Sequence, residues 1–336
     1  MPASPKDPRR PPLEPHQIFH LADRESDAVR GRGSAPRLAV VVPATDDPAC
    51  LERCLAALEA GSRTPDELVV QREPAGAGPA AARNLGAAAT EAEVLVFVDS
   101  DVEVHPDALA RTAERFAEDP GLAAVFGAYD DHPADPGITS RYRNLLHHHV
   151  HAGAAGDAET FWAGLGAIRR DSFEAEGGFD AESYPEPSVE DIELGMRLRR
   201  RGARIALDPQ IRGRHLKAWT PRSMVATDFG RRGVPWARLL LRDGRSSTAL
   251  NLGWRRRASA AASVALLGSL LARRPRLAAA ALLANLVLDR DLYALLARRG
   301  GPRLLLAGVG LHQLHQLAAA ASVPAALVLH IREERS

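Results

Sequence analysis

The chain ahead of its carboxyl-terminal third alternates short, unbroken apolar runs with amphipathic stretches. Leu38-Ala39-Val40-Val41-Val42-Pro43, Leu68-Val69-Val70 and Val94-Leu95-Val96-Phe97-Val98 have the length and β-branched content of strands buried on both faces. After the first run, Asp47-Pro48 reads as N-cap and first helical residue of a helix with Leu51, Leu55 and Leu58 along one face. Gly76 to Pro79 reads as a loop, and Ala80 to Ala89 as a helix of small residues that carries Arg83-Asn84. This alternation predicts an α/β fold with a Rossmann-like sheet.

The hydrophobic pattern then changes character. Residues 258–272 and 277–288 carry no charge and are separated by Arg273-Arg274-Pro275-Arg276, and residues 304–331 contain no Asp, Glu, Lys or Arg. The first two runs fall short of the ~20 residues that span a bilayer alone, whereas the third is long enough. Arginines at 255–257, 298–299 and 303 suit an anionic leaflet, so this helical region is expected to associate with the cytoplasmic face of the cell membrane, peripherally or integrally. The competing expectation is a water-soluble subdomain of Ala-rich helices, since His312, Gln313, His315, Gln316 and Pro324 interrupt the last run. Residues 1–35, rich in Pro, Arg and Asp and without periodicity, read as a disordered tail with no signal-peptide pattern. Four regions are expected: that tail, a catalytic domain over 36–230, a basic linker over 231–257 and the hydrophobic helices of 258–336.

Composition narrows the function. A formal net charge of +1 with no long basic field argues against nucleic acid as a partner. Cys50 and Cys54 are the only cysteines and lie four apart on the first predicted helix, which suits reduced thiols in a cytosolic compartment rather than a disulfide or a zinc site.

Chemistry concentrates at Asp99-Ser100-Asp101, which follows the third apolar run directly. The two carboxylates emerge at the carboxyl end of a buried strand, where open α/β sheets bind ligands, and can anchor a divalent cation beside a diphosphate. An Asp-Ser-Asp turn that merely caps the next segment is the plain alternative. Downstream stand Gly177-Gly178-Phe179-Asp180, the acidic start Glu190-Asp191 of an amphipathic helix running to Arg201, and the segment from Ile211 to Trp219 with His215 and Lys217.

Taken together in order and spacing, the Val-Val-Pro opening, Ala82-Arg83-Asn84, Asp99-x-Asp101, Gly177 to Asp180, Glu190-Asp191 and His215 resemble a family 2 glycosyltransferase of the GT-A fold, over roughly residues 36–220. The resemblance implies a metal-dependent, inverting transfer of a hexosyl-type sugar from a nucleotide-sugar donor to an acceptor, with a glycan or lipid-linked acceptor in cell-envelope synthesis and a carboxyl-terminal membrane region. Two departures, Ala44-Thr45-Asp46 and Gln71-Arg72-Glu73, fall where the family holds the nucleobase, so no donor base is implied.

On this basis Asp99, Asp101 and His215 are expected to hold Mn²⁺ or Mg²⁺, with Asp101 the direct ligand and Asp99 reaching ribose or metal. Pro43, Glu73, Arg83, Asn84, Asp99 and Lys217, one of two lysines, are expected to hold the donor. Asp191 is the expected general base, kept ionised by the helix amino terminus, with Glu190 and Glu193 in reserve. Trp162 and Gly164 are expected on the acceptor side, Trp162 as a flat apolar face for a sugar ring or lipid carrier. Four histidines within residues 147–151 suggest acceptor contacts or packing. Two other functions compete: an inactive membrane-associated scaffold on a transferase fold, and a haloacid-dehalogenase-like phosphatase, which normally carries Asp-x-Asp on its opening strand.

Overall fold

The computed structural model describes residues 16–20, 35–46, 48–244 and 253–333. In chain order the strands are β1 (His16–His20), β2 (Leu38–Pro43), β3 (Glu67–Gln71), β4 (Val94–Val98), β5 (Val102–Val104), β6 (Leu122–Tyr129), β7 (Gly156–Asp157), β8 (Leu165–Arg169) and β9 (Arg204–His215). They form one mixed sheet in the order β1-β3-β2-β4-β8-β6-β9-β5, with β7 pairing β9. The helices are α1 (Leu51–Glu59), α2 (Gly78–Ala88), α3 (Ala108–Glu118), α4 (Ile138–Ala152), α5 (Arg170–Ala175), α6 (Glu190–Arg200) and α7 (Pro221–Ala226). A π-helical turn (Thr227–Gly233) follows, and then α8 (Val234–Asp243), α9 (Trp254–Leu271), α10 (Pro275–Leu288) and α11 (Arg290–Glu333), which Gly301 breaks.

The three apolar runs form the parallel trio β3-β2-β4, every residue of which is buried. Helices cover such strands on both faces, which is why they read as continuous rather than alternating. β8 runs antiparallel to both β4 and β6, so the sheet reverses direction once in its middle. β9 is long because it serves two neighbours. It lies parallel to β6, slips register between Leu207 and Arg212 around Pro209, and then pairs antiparallel with β5. That slip delivers His215 opposite Val102, the residue after Asp101.

Three expectations change. The tail expected over 1–35 lies outside the described residues except at Ala35 and at His16–His20, which pairs with β3 and forms the edge of the sheet. α1 begins at Leu51, with Cys50 as the residue before it, and Asp47 lies outside the described residues. The region expected as a linker over 231–257 contains α8 and the start of α9 instead.

A second core holds the carboxyl-terminal helices to the sheet domain. Tyr142, Leu145, Leu146 and Val150 of α4 and Met224 of α7 pack against Leu292, Leu295, Leu296, Leu304 and Leu311 of α11. The Tyr142 hydroxyl bonds His312 Nδ1 at 2.9 Å, and Gly308 lets α11 close onto Leu296, whose methyl lies 2.5 Å from where a Cβ would stand. Helices α9 and α10 form a hairpin with the inverse of the water-soluble pattern. Ser259, Ser263 and Asn285 are buried along its seam, while Leu267, Leu270, Leu271, Leu277, Leu283 and Val287 are exposed.

Leu296→Ala removes a fully buried side chain from this second core and is expected to cost about 2–5 kcal/mol of stability. Leu306→Ala, at a side chain 74% exposed on the same helix, is expected to leave thermal unfolding unchanged. Equal effects of the two substitutions on the melting curve would show that α11 does not pack as described.

Candidate active site

The carboxyl ends of β2 and β4, the start of α6 and the end of β9 surround a cavity of about 370 Å³. Its acidic wall begins with Arg83, which α2 brings beneath the sheet. The guanidinium is only 4% exposed and donates to Asp99 Oδ1 at 2.6 Å and Glu190 Oε1 at 2.8 Å, joining the end of β4 to the start of α6. Glu190 Oε2 accepts from the Ser188 backbone N–H at 2.9 Å. Arg83 and Glu190 are therefore engaged with each other. Both line the cavity, where Arg83 ties Asp99 to Glu190.

Asp191 is placed differently. Its Oδ2 accepts from the Ala163 backbone N–H at 3.2 Å, and its carboxyl faces the cavity. Burial, followed by the charge of Glu190, raises its pKa to about 6 despite the opposing charges of Arg83 and Arg232. The helix amino terminus was expected to keep this acid ionised, and desolvation outweighs it.

Across the cavity, His215 Nε2 stands 3.4 Å from Asp101 Oδ2, and the His215 ring stacks on Tyr129 with centroids 4.5 Å apart. Burial pushes the Asp101 carboxyl up, but the hydrogen bond and charge of His215 and the charge of Lys217 bring it below the usual range. Asp101 and His215 present mixed oxygen and nitrogen donors toward one space, a set that suits Mn²⁺ or Mg²⁺. Among the described residues no group of three or more His, Cys, Asp or Glu side chains gathers for a metal, so a cation here draws its remaining ligands from phosphate and water. Asp99 has one oxygen committed to Arg83 and stands beside this pair rather than within it.

The opposite rim is cationic. Lys217 Nζ lies 4.9 Å from the Trp219 ring, and Arg231 and Arg232 come from the π-helical turn. The side chains of Arg231 and Arg232 make no hydrogen bond or ion pair among the described residues. Sequence reasoning missed both arginines, because only the turn carries them back to the strand ends. The Arg-Arg pair between Gly230 and Gly233 was the available signal.

The other expected residues divide. Pro43 and Trp162 line the cavity, and Glu73, Asn84 and Gly164 do not. Glu73 accepts from the Ala75 backbone N–H. Asn84 donates to the Phe179 carbonyl at 2.8 Å and accepts from its N–H at 2.9 Å. Gly178, at φ +77°, passes so close that a Cβ would stand 2.6 Å from Asn84 Oδ1. The Gly-Gly-Phe-Asp turn is thus docked by Asn84. Gly164 makes room for Trp162, whose ring lies 2.6 Å from where its Cβ would be, and its carbonyl accepts the Asp99 N–H at 3.0 Å.

The histidine run is aromatic packing. His147 lies with its centroid 4.3 Å from Tyr129, 4.0 Å from His151 and 4.8 Å from Trp162. His148 and His151 bond the carbonyls of Tyr129 and Gly127. Burial and neighbouring cations hold His147 well below its ordinary pKa, so it is a neutral ring.

The fold is a mixed α/β sheet of the kind found in GT-A enzymes, with a polar cavity at its strand ends. The glycosyl transferase family 2 profile matches residues 62–177 of the chain. A search of curated proteins finds no match. Similar solved structures include a mannosyltransferase from Pyrobaculum calidifontis in complex with GDP-Man and Mn²⁺, at 17% identity and TM-score 0.48, covering 88% of this chain and 89% of that one. Glucosyl-3-phosphoglycerate synthase from Mycobacterium tuberculosis follows at 19% identity and TM-score 0.42, covering 63% and 81%. GalNAc-T7 is 14% identical at TM-score 0.44, covering 62% of this chain, which spans 48% of that one.

Because the folded-state pKa of Asp191 lies above its unfolded value of 3.8, the group costs no stability below that value, and the cost grows until pH passes about 6. Asp191→Asn is accordingly expected to raise stability above pH 7 by up to ~3 kcal/mol, with no gain at pH 4. Melting curves at the two pH values check this, and an equal shift at both would contradict a buried, charge-bearing Asp191.

Proposed function

We propose that the protein transfers a hexosyl-type sugar from a nucleotide diphosphate donor to an acceptor hydroxyl, with inversion. The observation that carries this reading is the division of one cavity into an acidic metal-type corner at Asp101 and His215, a cationic rim at Lys217, Arg231 and Arg232, and the Asp191 carboxylate, which no cationic side chain pairs. The rim matches the charge of a diphosphate and offsets what accumulates on it as it leaves. A cation held by Asp101 and His215 supplies Lewis-acid stabilisation of that leaving group.

Asp191 accepts the proton of the acceptor hydroxyl as its oxygen bonds to the anomeric carbon. The bond from that carbon to the diphosphate breaks, and its electron pair departs with the phosphate oxygen. A pKa of about 6 leaves the base ionised at neutral pH yet basic enough to take the proton. One displacement by one base gives inversion. Clamped by Arg83, Glu190 holds Asp191 in register instead of competing with it.

Purified protein incubated with UDP-, GDP- and dTDP-sugars and Mn²⁺ tests the reading through release of nucleoside diphosphate. Asp191→Asn is expected to lower turnover roughly a hundredfold to ten-thousandfold with donor affinity nearly unchanged. Asp101→Asn is expected to abolish the response to Mn²⁺. Absence of turnover with every donor would favour the inactive scaffold, and a fully active Asp191→Asn would place the base elsewhere.

We also infer that the carboxyl-terminal helices contact a membrane from the cytoplasmic side. α11 is the one described helix that is long and apolar enough to cross a bilayer. The outward leucines of α9 and α10 support contact with lipid. The inward polar groups are bonded to one another, as a bilayer requires: Asn285 donates to Ser259 Oγ at 2.9 Å, Tyr293 to Asn285 Oδ1 at 2.6 Å and Gln316 to Ser259 Oγ at 3.0 Å. Full-length protein is expected to pellet with membranes, to stay bound in high salt and to need detergent for release. Recovery in the supernatant without detergent would favour the water-soluble helical subdomain.

A further inference from the structure

A second cavity of about 240 Å³ opens off the first, between the sheet domain and the carboxyl-terminal helices. Asp191, Trp162, His147, Ser188, Arg143 and Arg232 line both, so the two spaces meet at the proposed base. The deep end is walled by Leu146 and Val150 of α4, Ile192 of α6, Trp236, Ala237 and Leu240 of α8, and Ala319 and Val323 of α11. The motifs that mark the donor site make no use of this space.

Most of its polar side chains already have a partner within the protein. Arg143 pairs with Asp228 at 2.7 Å, and Asp228 also bonds His315 at 2.8 Å. Ser188 Oγ donates to the Arg231 carbonyl, Ser322 Oγ to the Ala319 carbonyl and Gln316 to Ser259, and Arg256 pairs with Asp289. At the junction stand the Arg232 guanidinium and the Asp191 carboxyl, whose oxygens accept from the Ala163 and Ile192 backbone N–H groups and each keep a further lone pair. A sugar acceptor carries a hydroxyl on nearly every carbon, and each needs a partner once it leaves water. Apolar side chains make up most of the wall of this cavity, which leaves too few polar groups for such an acceptor.

We propose that the second cavity is the acceptor site, and that the acceptor is an apolar alcohol, a hydroxyl on a hydrocarbon body that lies between α8 and α11. This deepens the transferase reading and rests on it. The hydroxyl sits at the junction, where Asp191 takes its proton and Arg232 stands nearby. The oxygen then bonds to the anomeric carbon as the diphosphate leaves with the bonding pair. The hydrocarbon displaces water from apolar walls, which is favourable in proportion to the area covered. Because α11 forms one wall, the carboxyl-terminal helices complete the acceptor site.

The test uses full-length protein in lipid nanodiscs with bromodecanol, whose bromine quenches tryptophan fluorescence; Trp162 and Trp236 line the cavity. Trp254, 72% exposed on α9, is replaced by Phe to remove quenching from the lipid phase. Saturable quenching is expected, weakened by about tenfold or more in Ala319→Phe, which fills the cavity, and unaffected by free hexoses. Should Ala319→Phe lower the melting temperature, Ala237→Met on the facing wall takes its place. Quenching that never saturates, that is equal in the filled variants, or that hexoses reverse overturns the proposal. Thermal stabilisation by UDP or GDP with Mn²⁺ is measured on the same samples. Its absence alongside saturable, variant-sensitive quenching would overturn the donor reading and leave the apolar cavity standing.

Discussion

The site depends on one buried arginine. Arg83 is the cation that holds the buried Glu190 and the partly exposed Asp99 close together, and it spans the end of β4 and the start of α6. Removing one partner of such an arrangement leaves an uncompensated buried charge, which typically costs 3–5 kcal/mol. The clamp also decides which acid is free. With Glu190 engaged on one side by Arg83 and on the other by the Ser188 N–H, the next residue along α6 turns its carboxyl into the cavity. Desolvation then sets the basicity of Asp191, aided by the Glu190 charge beside it.

The carboxyl-terminal helices belong to the same structure. The ion pair from Arg143 on α4 to Asp228 in the π-helical turn continues to His315 on α11, so one carboxylate ties three elements together. A π-helical turn widens the backbone locally, a feature frequent at functional sites. Here it places Arg231 and Arg232 on the rim of the first cavity and Asp228 and Gly233 on the second. Gly233 is needed there because a Cβ would stand 2.7 Å from Ser322 of α11. Burying polar side chains among α9, α10 and α11 while leaving leucines outside costs a soluble helix bundle stability, and it is the arrangement that a lipid surround favours.

Much of the sheet was legible from composition alone. Runs such as Val94 to Val98 can be little else than buried strands, and the strand-helix alternation implied a parallel core. The reversal at β8 was not legible, because Leu165-Gly166-Ala167-Ile168 carries no mark of its direction; pairing with β4 and β6 sets it. Asp101 and His215 could be named, but their meeting depends on the register slip around Pro209 in β9. Asn84 and Gly164 stood in the right motifs with unexpected tasks, since a motif records that a residue matters at a place and not which neighbour it touches.

The sequence by itself determined the buried strands, the carboxylates at a strand end, the acidic start of α6 and the apolar character of the last helices. These are local properties, set by side-chain volume, polarity and spacing along one segment. The tertiary structure alone decided which carboxylate pairs with Arg83 and which does not, that two arginines from a distant turn complete a cationic rim, and that α11 walls a second cavity. Charge pairing and desolvation depend on distance in space, and residues 107 positions apart such as Arg83 and Glu190 acquire a distance only when the chain folds.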